Sequence, residues 1–281
     1  MSPIETLSEH RCFGGVQGFY RHRSVETGTP MQFSVFTPPQ AEKGLVPVLY
    51  FLAGLTCTEE TFPIKAGAQR MAAELGLMLV CPDTSPRDTG IEGASDDWEF
   101  GHGAGFYLDA TQPPWSRHFR MYSYIVEELP GVVGMNFPAA ADSAGIFGHS
   151  MGGHGALTIA LQNPRMFRSV SAFAPICSPT VAPWGAKAFP RFLGPDIAAW
   201  KRYDACALVR NETLATTLLI DQGLDDKFLE AQLRPELFEA ACADAGQALN
   251  LRRHAGYDHG YYFIQSFIED HLRHHARALL D

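Results

Sequence analysis

The chain has 281 residues, is 46% hydrophobic and carries a formal net charge of −9. That is ample for one large core, and with no Lys/Arg run it argues against a nucleic-acid surface. No apolar stretch is long enough to span a bilayer, and the start, Met1 to Arg11, carries Glu5, Glu9 and His10 and lacks a secretory apolar core.

Along the chain, Met31 to Phe36 alternates and predicts a strand, ended by Pro38-Pro39. Pro47 to Leu52 is a continuous apolar run, as in a strand buried on both faces. A loop, Ala53 to Thr58, follows it. Lys65 to Leu75 has helical spacing, and Leu77 to Cys81 predicts the next buried strand. Thr84 to Ser116 is a long polar segment rich in Gly, Asp and Pro. Its aromatics, Trp98, Phe100, Phe106, Tyr107 and Trp115, argue for an ordered, packed and functional loop. Phe119 to Val133 reads as a helix broken at Pro130-Gly131. Ala144 to Phe147 leads into a turn, and Met151 to Gln162 leads out as a helix. Ser169 to Ala174 is a strand, Cys177 to Pro195 an irregular excursion, and Thr216 to Ile220 a strand. Phe228 to Ala245 is helical, Leu249 to Arg252 is the last strand, and Tyr262 to Leu279 the last helix. Strands alternating with helices predict an α/β fold with a mainly parallel sheet covered on both faces. No repeat, linker or composition break appears, so a single domain over 1–281 is expected. Six scattered cysteines, Cys12, Cys57, Cys81, Cys177, Cys206 and Cys242, fit small hydrophobes in a reduced cytosolic protein better than a disulfide framework.

The turn between Phe147 and Met151 is Gly148-x-Ser150-x-Gly152. Alone the pattern is weak. A strand before it and a helix after it make it a nucleophile elbow, which holds a serine hydroxyl at the carboxyl end of a sheet beside a helix N-terminus. Serine needs a histidine base, and the base needs a carboxylate to orient it. In this fold they follow in the order Ser, Asp or Glu, His, each after a later strand. Ser150 is followed by the loop of Asp221, Asp225 and Asp226, then by His259 between glycines and aromatics. The residues themselves leave the choice among the aspartates open. His149 and His154 are expected to pack. His271, His274 and His275 could grip a metal at helical spacing, but no carboxylate or Cys cluster accompanies them, and a solvated C-terminal helix end is expected there. The oxyanion hole needs two backbone N–H groups: Met151 follows the nucleophile, and Leu55 follows Gly54 after the Pro47–Leu52 strand.

Longer segments carry a more specific signal. FLAGLTCTEETF, CPDTSPR, DDWEFGHGAGFYLDAT, RMYSYIVEELP, GHSMGGHGAL, SVSAFAPICSP, PWGAKAF, DQGLDDKFL and GYDHGYYFIQSFIEDHLRHHA together resemble the S-formylglutathione hydrolase (esterase D) family, from about Cys12 to the C-terminus. The resemblance implies the α/β-hydrolase fold and cytosolic hydrolysis of the thioester S-formylglutathione to formate and glutathione, in formaldehyde detoxification. It places the nucleophile at Ser150, the base at His259, the acid at Asp226 and the oxyanion donors at Leu55 and Met151. It implies a serine acyl-enzyme mechanism with no metal or organic cofactor. It also places at Cys57 the cysteine that makes the family sensitive to thiol reagents. His102 stands where the resemblance leads one to expect a small polar residue. A formyl group needs little room, so Cys57, Trp184 and Tyr257 are expected around a tight substrate pocket. The partner implied is a small-molecule thioester, with a homodimer as the candidate assembly. The alternatives are a broad-specificity carboxylesterase and a binding module that lost its catalyst.

Overall fold

The computed structural model describes residues 3–280; Met1, Ser2 and Asp281 lie outside it. One nine-stranded sheet organises the chain. Its strands are β1 (Glu5–Cys12), β2 (Gly15–Arg23), β3 (Pro30–Thr37), β4 (Val46–Leu52), β5 (Met78–Pro82), β6 (Ala139–His149), β7 (Ser169–Phe173), β8 (Leu218–Gly223) and β9 (Leu249–His254). Their spatial order is β1-β2-β3-β5-β4-β6-β7-β8-β9. The pairings β1-β2, β2-β3 and β3-β5 are antiparallel. From β5 through β9 every pairing is parallel. The continuous apolar runs become the central strands: every residue of β5 and β7 is buried. Burial on both faces is what a parallel strand under crossover helices requires. The helix Met151–Gln162 packs against β4, β6 and β7, and the C-terminal helix Tyr261–Leu280 against β6, β7 and β8. This is the mainly parallel α/β sheet that the alternation of elements predicts, in the α/β-hydrolase architecture that the resemblance implies. No helix among the described residues is long and apolar enough to cross a membrane.

Several elements differ from the sequence reading. β1 and β2 were not legible. β1 is polar on both faces and mostly exposed, so it carries no period-2 signal; the ladder to β2 and ion pairs such as Arg21–Glu5 hold it. The helical stretch before β5 is two pieces, Thr61–Lys65 and Gln69–Leu75, parted at Gly67 with φ +68°. Pro130-Gly131 does not break its helix. A π-helical turn, Tyr124–Glu128, precedes Leu129–Asn136, so Pro130 sits in a first turn, where its missing N–H costs nothing. The excursion Cys177–Pro195 contains a helix, Pro183–Leu193, again with proline at its start. Phe228–Ala245 is interrupted by Arg234 at φ 51°, between a π turn, Leu229–Leu233, and the helix Pro235–Ala245.

The expectation of a solvated helix end at His271, His274 and His275 is wrong. His271 and His275 are fully buried beneath the sheet. Their four-residue spacing puts both on the face that meets Ser169 and Ser171 of β7.

Candidate active site

β6 ends at His149 and a helix begins at Met151, leaving Ser150 to make the turn at φ 58°, ψ −118°. Few L-residues adopt that conformation, and it persists only where the surroundings over-determine it. Here they do: the Ser150 amide donates to the Phe173 carbonyl of β7 at 2.9 Å, and the Ser150 carbonyl accepts from the His154 amide at 2.9 Å. The flanking glycines are required by contact. A Cβ on Gly148 would overlap the Gly152 carbonyl, and one on Gly152 the Leu52 carbonyl of β4.

β8 continues into the loop that carries Asp225 and Asp226. Asp226 is 5% exposed. Its Oδ1 accepts from the Phe228 amide at 2.8 Å, and its Oδ2 accepts from His259 Nδ1–H at 2.5 Å. His259 follows β9 on the adjacent loop. Donation from Nδ1 leaves Nε2 unprotonated in the neutral ring, the tautomer a general base needs. The two other aspartates lie elsewhere. Asp225 is exposed. Asp221, fully buried, accepts from Arg252 at 2.6 Å through both oxygens. Burial pushes its carboxyl up, but hydrogen bonds from His271 and Arg252 outweigh this and hold it well below the usual carboxylate range.

Ser150 and His259 line one cavity of about 100 Å³, together with Gly54, Leu55, Cys57, Trp98, His149, Trp184 and Phe228. The loop after β4 comes in close: a Cβ on Gly54 would stand 3.2 Å from the Ser150 Cβ. The Leu55 amide that follows has no hydrogen-bond partner among the described residues. Met151 opens its helix, so its amide is among those the helix leaves unpaired. These are the two positions expected for oxyanion donors. Cys57 and Trp184 stand in the cavity wall. Trp184 is fixed by its indole N–H donating to Glu99 at 2.7 Å, and its ring meets Trp98 edge-on at 6.1 Å. Glu99 also pairs with Lys187, so the long loop and the helix Pro183–Leu193 are stitched together over the site.

Tyr257 is not among the lining residues. Its ring packs on Phe263, Phe267 and His254, one side of the base's loop. Met151 contributes backbone, its side chain being fully buried. His102 also lies outside the lining, bonded to Thr89 at 3.1 Å and Ser95 at 2.9 Å. Burial depresses its basicity. Phe228 and Trp98 were missed as wall residues, although Phe228 directly follows the acidic loop. The Phe228 ring meets the His259 ring edge-on at 5.1 Å and the Trp184 ring at 4.8 Å.

His149, expected only to pack, also faces the cavity. Its ring centroid is 4.5 Å from that of His259, and neither ring nitrogen has a hydrogen-bond partner among the described residues. Burial, with the neighbouring His259, holds it neutral, far below the usual histidine range. Burial also pushes the Cys57 thiol up, so it is protonated at neutral pH. No group of three or more His, Cys, Asp or Glu that could hold a metal ion occurs among the described residues. A strained serine, an oriented His–Asp pair and two free amides around a small apolar cavity are the parts that acyl transfer needs.

The comparisons agree in direction. Residues 24–274 match the family described as "Putative esterase". The chain is 53% identical to the S-formylglutathione hydrolase of Mus musculus, over 98% of this chain and 99% of that one. It is 53% identical to the S-formylglutathione hydrolase of Paracoccus denitrificans, over 98% of each. The solved structure of an S-formylglutathione hydrolase from Agrobacterium tumefaciens superposes with a TM-score of 0.96 at 51% identity, covering 98% of this chain and 99% of that one.

Proposed function

The chain belongs to the esterase family and, within it, to the S-formylglutathione hydrolases, and we propose that it hydrolyses S-formylglutathione to formate and glutathione with Ser150, His259 and Asp226 as its catalytic triad. The observation that carries this reading is the 2.5 Å bond from His259 to buried Asp226, beside the same cavity as strained Ser150.

The Ser150 hydroxyl attacks the formyl carbon and its proton passes to His259 Nε2. Asp226 stabilises the imidazolium without taking the proton. Negative charge on the formyl oxygen is met by the Leu55 and Met151 amides. The carbon–sulfur bond then breaks. A thiol with pKa about 8.5 leaves as thiolate with little help from a general acid. The thiolate takes the proton from His259 as it leaves, which restores the neutral ring; water, deprotonated by His259, then attacks the formyl ester on Ser150, and formate departs as that proton passes to the serine oxygen. The six cysteines are all unpaired, which supports a reducing compartment such as the cytoplasm.

Cavity size supports a short acyl group: about 100 Å³ is the space of roughly three waters. Each methylene that does not fit costs about 1–3 kcal/mol, or 10- to 200-fold in kcat/KM. The test is kcat/KM for formyl, acetyl and butyryl thioesters of glutathione, corrected for hydroxide hydrolysis of the same compounds. A fall of at least about tenfold from formyl to acetyl is expected, with Ser150→Ala losing about 10⁴-fold in kcat. Flat corrected values, or preference for an acetylated sugar, would make the protein a broad carboxylesterase instead.

A further inference from the structure

We propose that the cavity lined by Lys65, Tyr261, Tyr262 and Gln265, next to the catalytic one, receives the peptide leaving group, with one of its carboxylates on the Lys65 ammonium. This rests on the proposed thioesterase activity and names where its leaving group binds.

Size gives the first argument. The catalytic cavity, about 100 Å³, takes an acyl group and little more, whereas the Lys65 cavity measures about 490 Å³. A tripeptide thiol cannot enter the first and must lie across its mouth.

Adjacency gives the second. Cys57 lines the catalytic cavity. Its thiol lies against the Tyr261 hydroxyl, and Lys65 is close enough to draw the thiol pKa down against burial. The Tyr261 ring is 5.9 Å from that of His149, another catalytic-cavity residue, and the Lys65 Nζ stands over the Tyr261 ring at 5.8 Å. Cys57 and Tyr261 are thus the wall between the two spaces, and a thioester sulfur at Ser150 points its peptide over that wall.

Chemistry gives the third. Lys65 is exposed and has no carboxylate within 4.0 Å among the described residues, in a chain of net charge −9. Lys187, by contrast, is held by Asp97 and Glu99. Tyr262, which lines the same cavity as Lys65, leaves 85% of its surface in solvent. A free cation, the Gln265 amide and an exposed ring suit an anionic peptide.

The competing cation is Lys227, whose Nζ stands 4.8 Å over the Phe228 ring on the other rim. The experiment therefore compares Lys65→Gln with Lys227→Gln. On S-formylglutathione, K65Q should raise KM about three- to tenfold at unchanged kcat, as expected for one lost ion pair at a partly open site. Product inhibition by glutathione should weaken by the same factor. On 4-nitrophenyl acetate, whose leaving group has no carboxylate, K65Q should match wild type. An unchanged KM on the thioester, an equal rise on both substrates, or a larger rise in K227Q than in K65Q overturns the proposal. A wild-type enzyme that cleaves 4-nitrophenyl acetate but not S-formylglutathione overturns the proposed function, and this inference with it.

Discussion

Asp225 and Asp226 are neighbours in sequence, yet the backbone turns their carboxylates apart. The Asp225 amide is tied to the Tyr257 carbonyl at 3.0 Å and its side chain is exposed, while Asp226 is buried against His259. Asp226→Asn places an amide N–H opposite His259 Nδ1, which must then accept, so the ring proton moves to Nε2 and blocks the Ser150 proton. A loss of up to about 10⁴-fold in kcat is expected, against less than about tenfold for Asp225→Asn; steady-state rates on one ester suffice to rank them. Cys57 makes a second test. Protonated and walled by Tyr261, it is a bystander. Cys57→Ala should keep most of the rate and become resistant to iodoacetamide, whereas the wild-type protein loses activity as bulk is added to the cavity. Loss of the acyl intermediate in Cys57→Ala would make the thiol a participant. At this scale the serine and the histidine were legible because chain order and loop position fix them. The aspartate was not separable without the resemblance, because adjacent loop residues point in directions that only the backbone determines. Tyr257 was misplaced for the same reason: it adjoins the base in sequence, but its ring turns into the aromatic group of Phe263 and Phe267.

The central strands were legible because their burial is continuous. β4, β5, β7 and β8 are buried nearly throughout and read as apolar runs, whereas β1 has no apolar face to read. Prolines misled, since Pro130 and Pro183 sit in first turns and announce helices rather than end them. Glycines separate into two kinds, and stability measurements can tell them apart. Gly134 lies in an exposed turn of the helix Leu129–Asn136, and a Cβ there meets nothing within 4 Å. Gly134→Ala should stabilise by about 0.5–1 kcal/mol, through helix propensity and a less free unfolded chain. Gly152 starts the nucleophile helix against the Leu52 and Ala53 carbonyls of the β4 end. Gly152→Ala should cost about 3 kcal/mol or more, because backbone rather than a flexible side chain must move. Urea unfolding midpoints of the two variants against wild type are the measurement; equal small effects would mean that the elbow tolerates a displaced β4.

Across the whole molecule, the buried histidines form the largest pH-sensitive feature. His271 and His275 belong to a chain of hydrogen bonds: His275 Nδ1 lies 2.6 Å from the Ser169 hydroxyl and its Nε2 2.8 Å from that of Ser171, while His271 Nδ1 lies 2.8 Å from Ser171 Oγ and its Nε2 3.2 Å from Asp221. With neutral rings one wiring satisfies every group, running from the Ser169 hydroxyl through His275, Ser171 and His271 to the Asp221 carboxylate. His149 and His154 are buried too; burial lowers His154 to about 4, and its Nε2–H donates to the Phe106 carbonyl at 3.1 Å. Burial lowers His149, His271 and His275 as well. A histidine with a depressed folded pKa binds fewer protons in the native than in the unfolded chain. Its contribution is therefore intact above the unfolded value of about 6.5 and is lost as pH falls below it. For His154 the loss between pH 6.5 and about 4 amounts to about 3 kcal/mol. Glu59 acts in the opposite sense. Burial, aided by Asp83, pushes its carboxyl up to about 7, so the native state gains a proton in the same range. Burial raises Asp83 itself, though Arg87 holds it back in part. Burial of His149, His154, His271 and His275 acts against these acids, and stability should fall as pH drops from 7.5 to 5. Urea unfolding at pH 7.5, 6 and 5 measures this, with one cooperative transition expected if the sheet and its helices form a single domain. His154→Gln keeps a donor for Phe106 and should reduce the slope by about 1.4 kcal/mol per unit. A flat profile, or a slope that His154→Gln leaves untouched, would mean that these rings carry their protons inside the fold and that the chain from Ser169 to Asp221 is wired in the other direction.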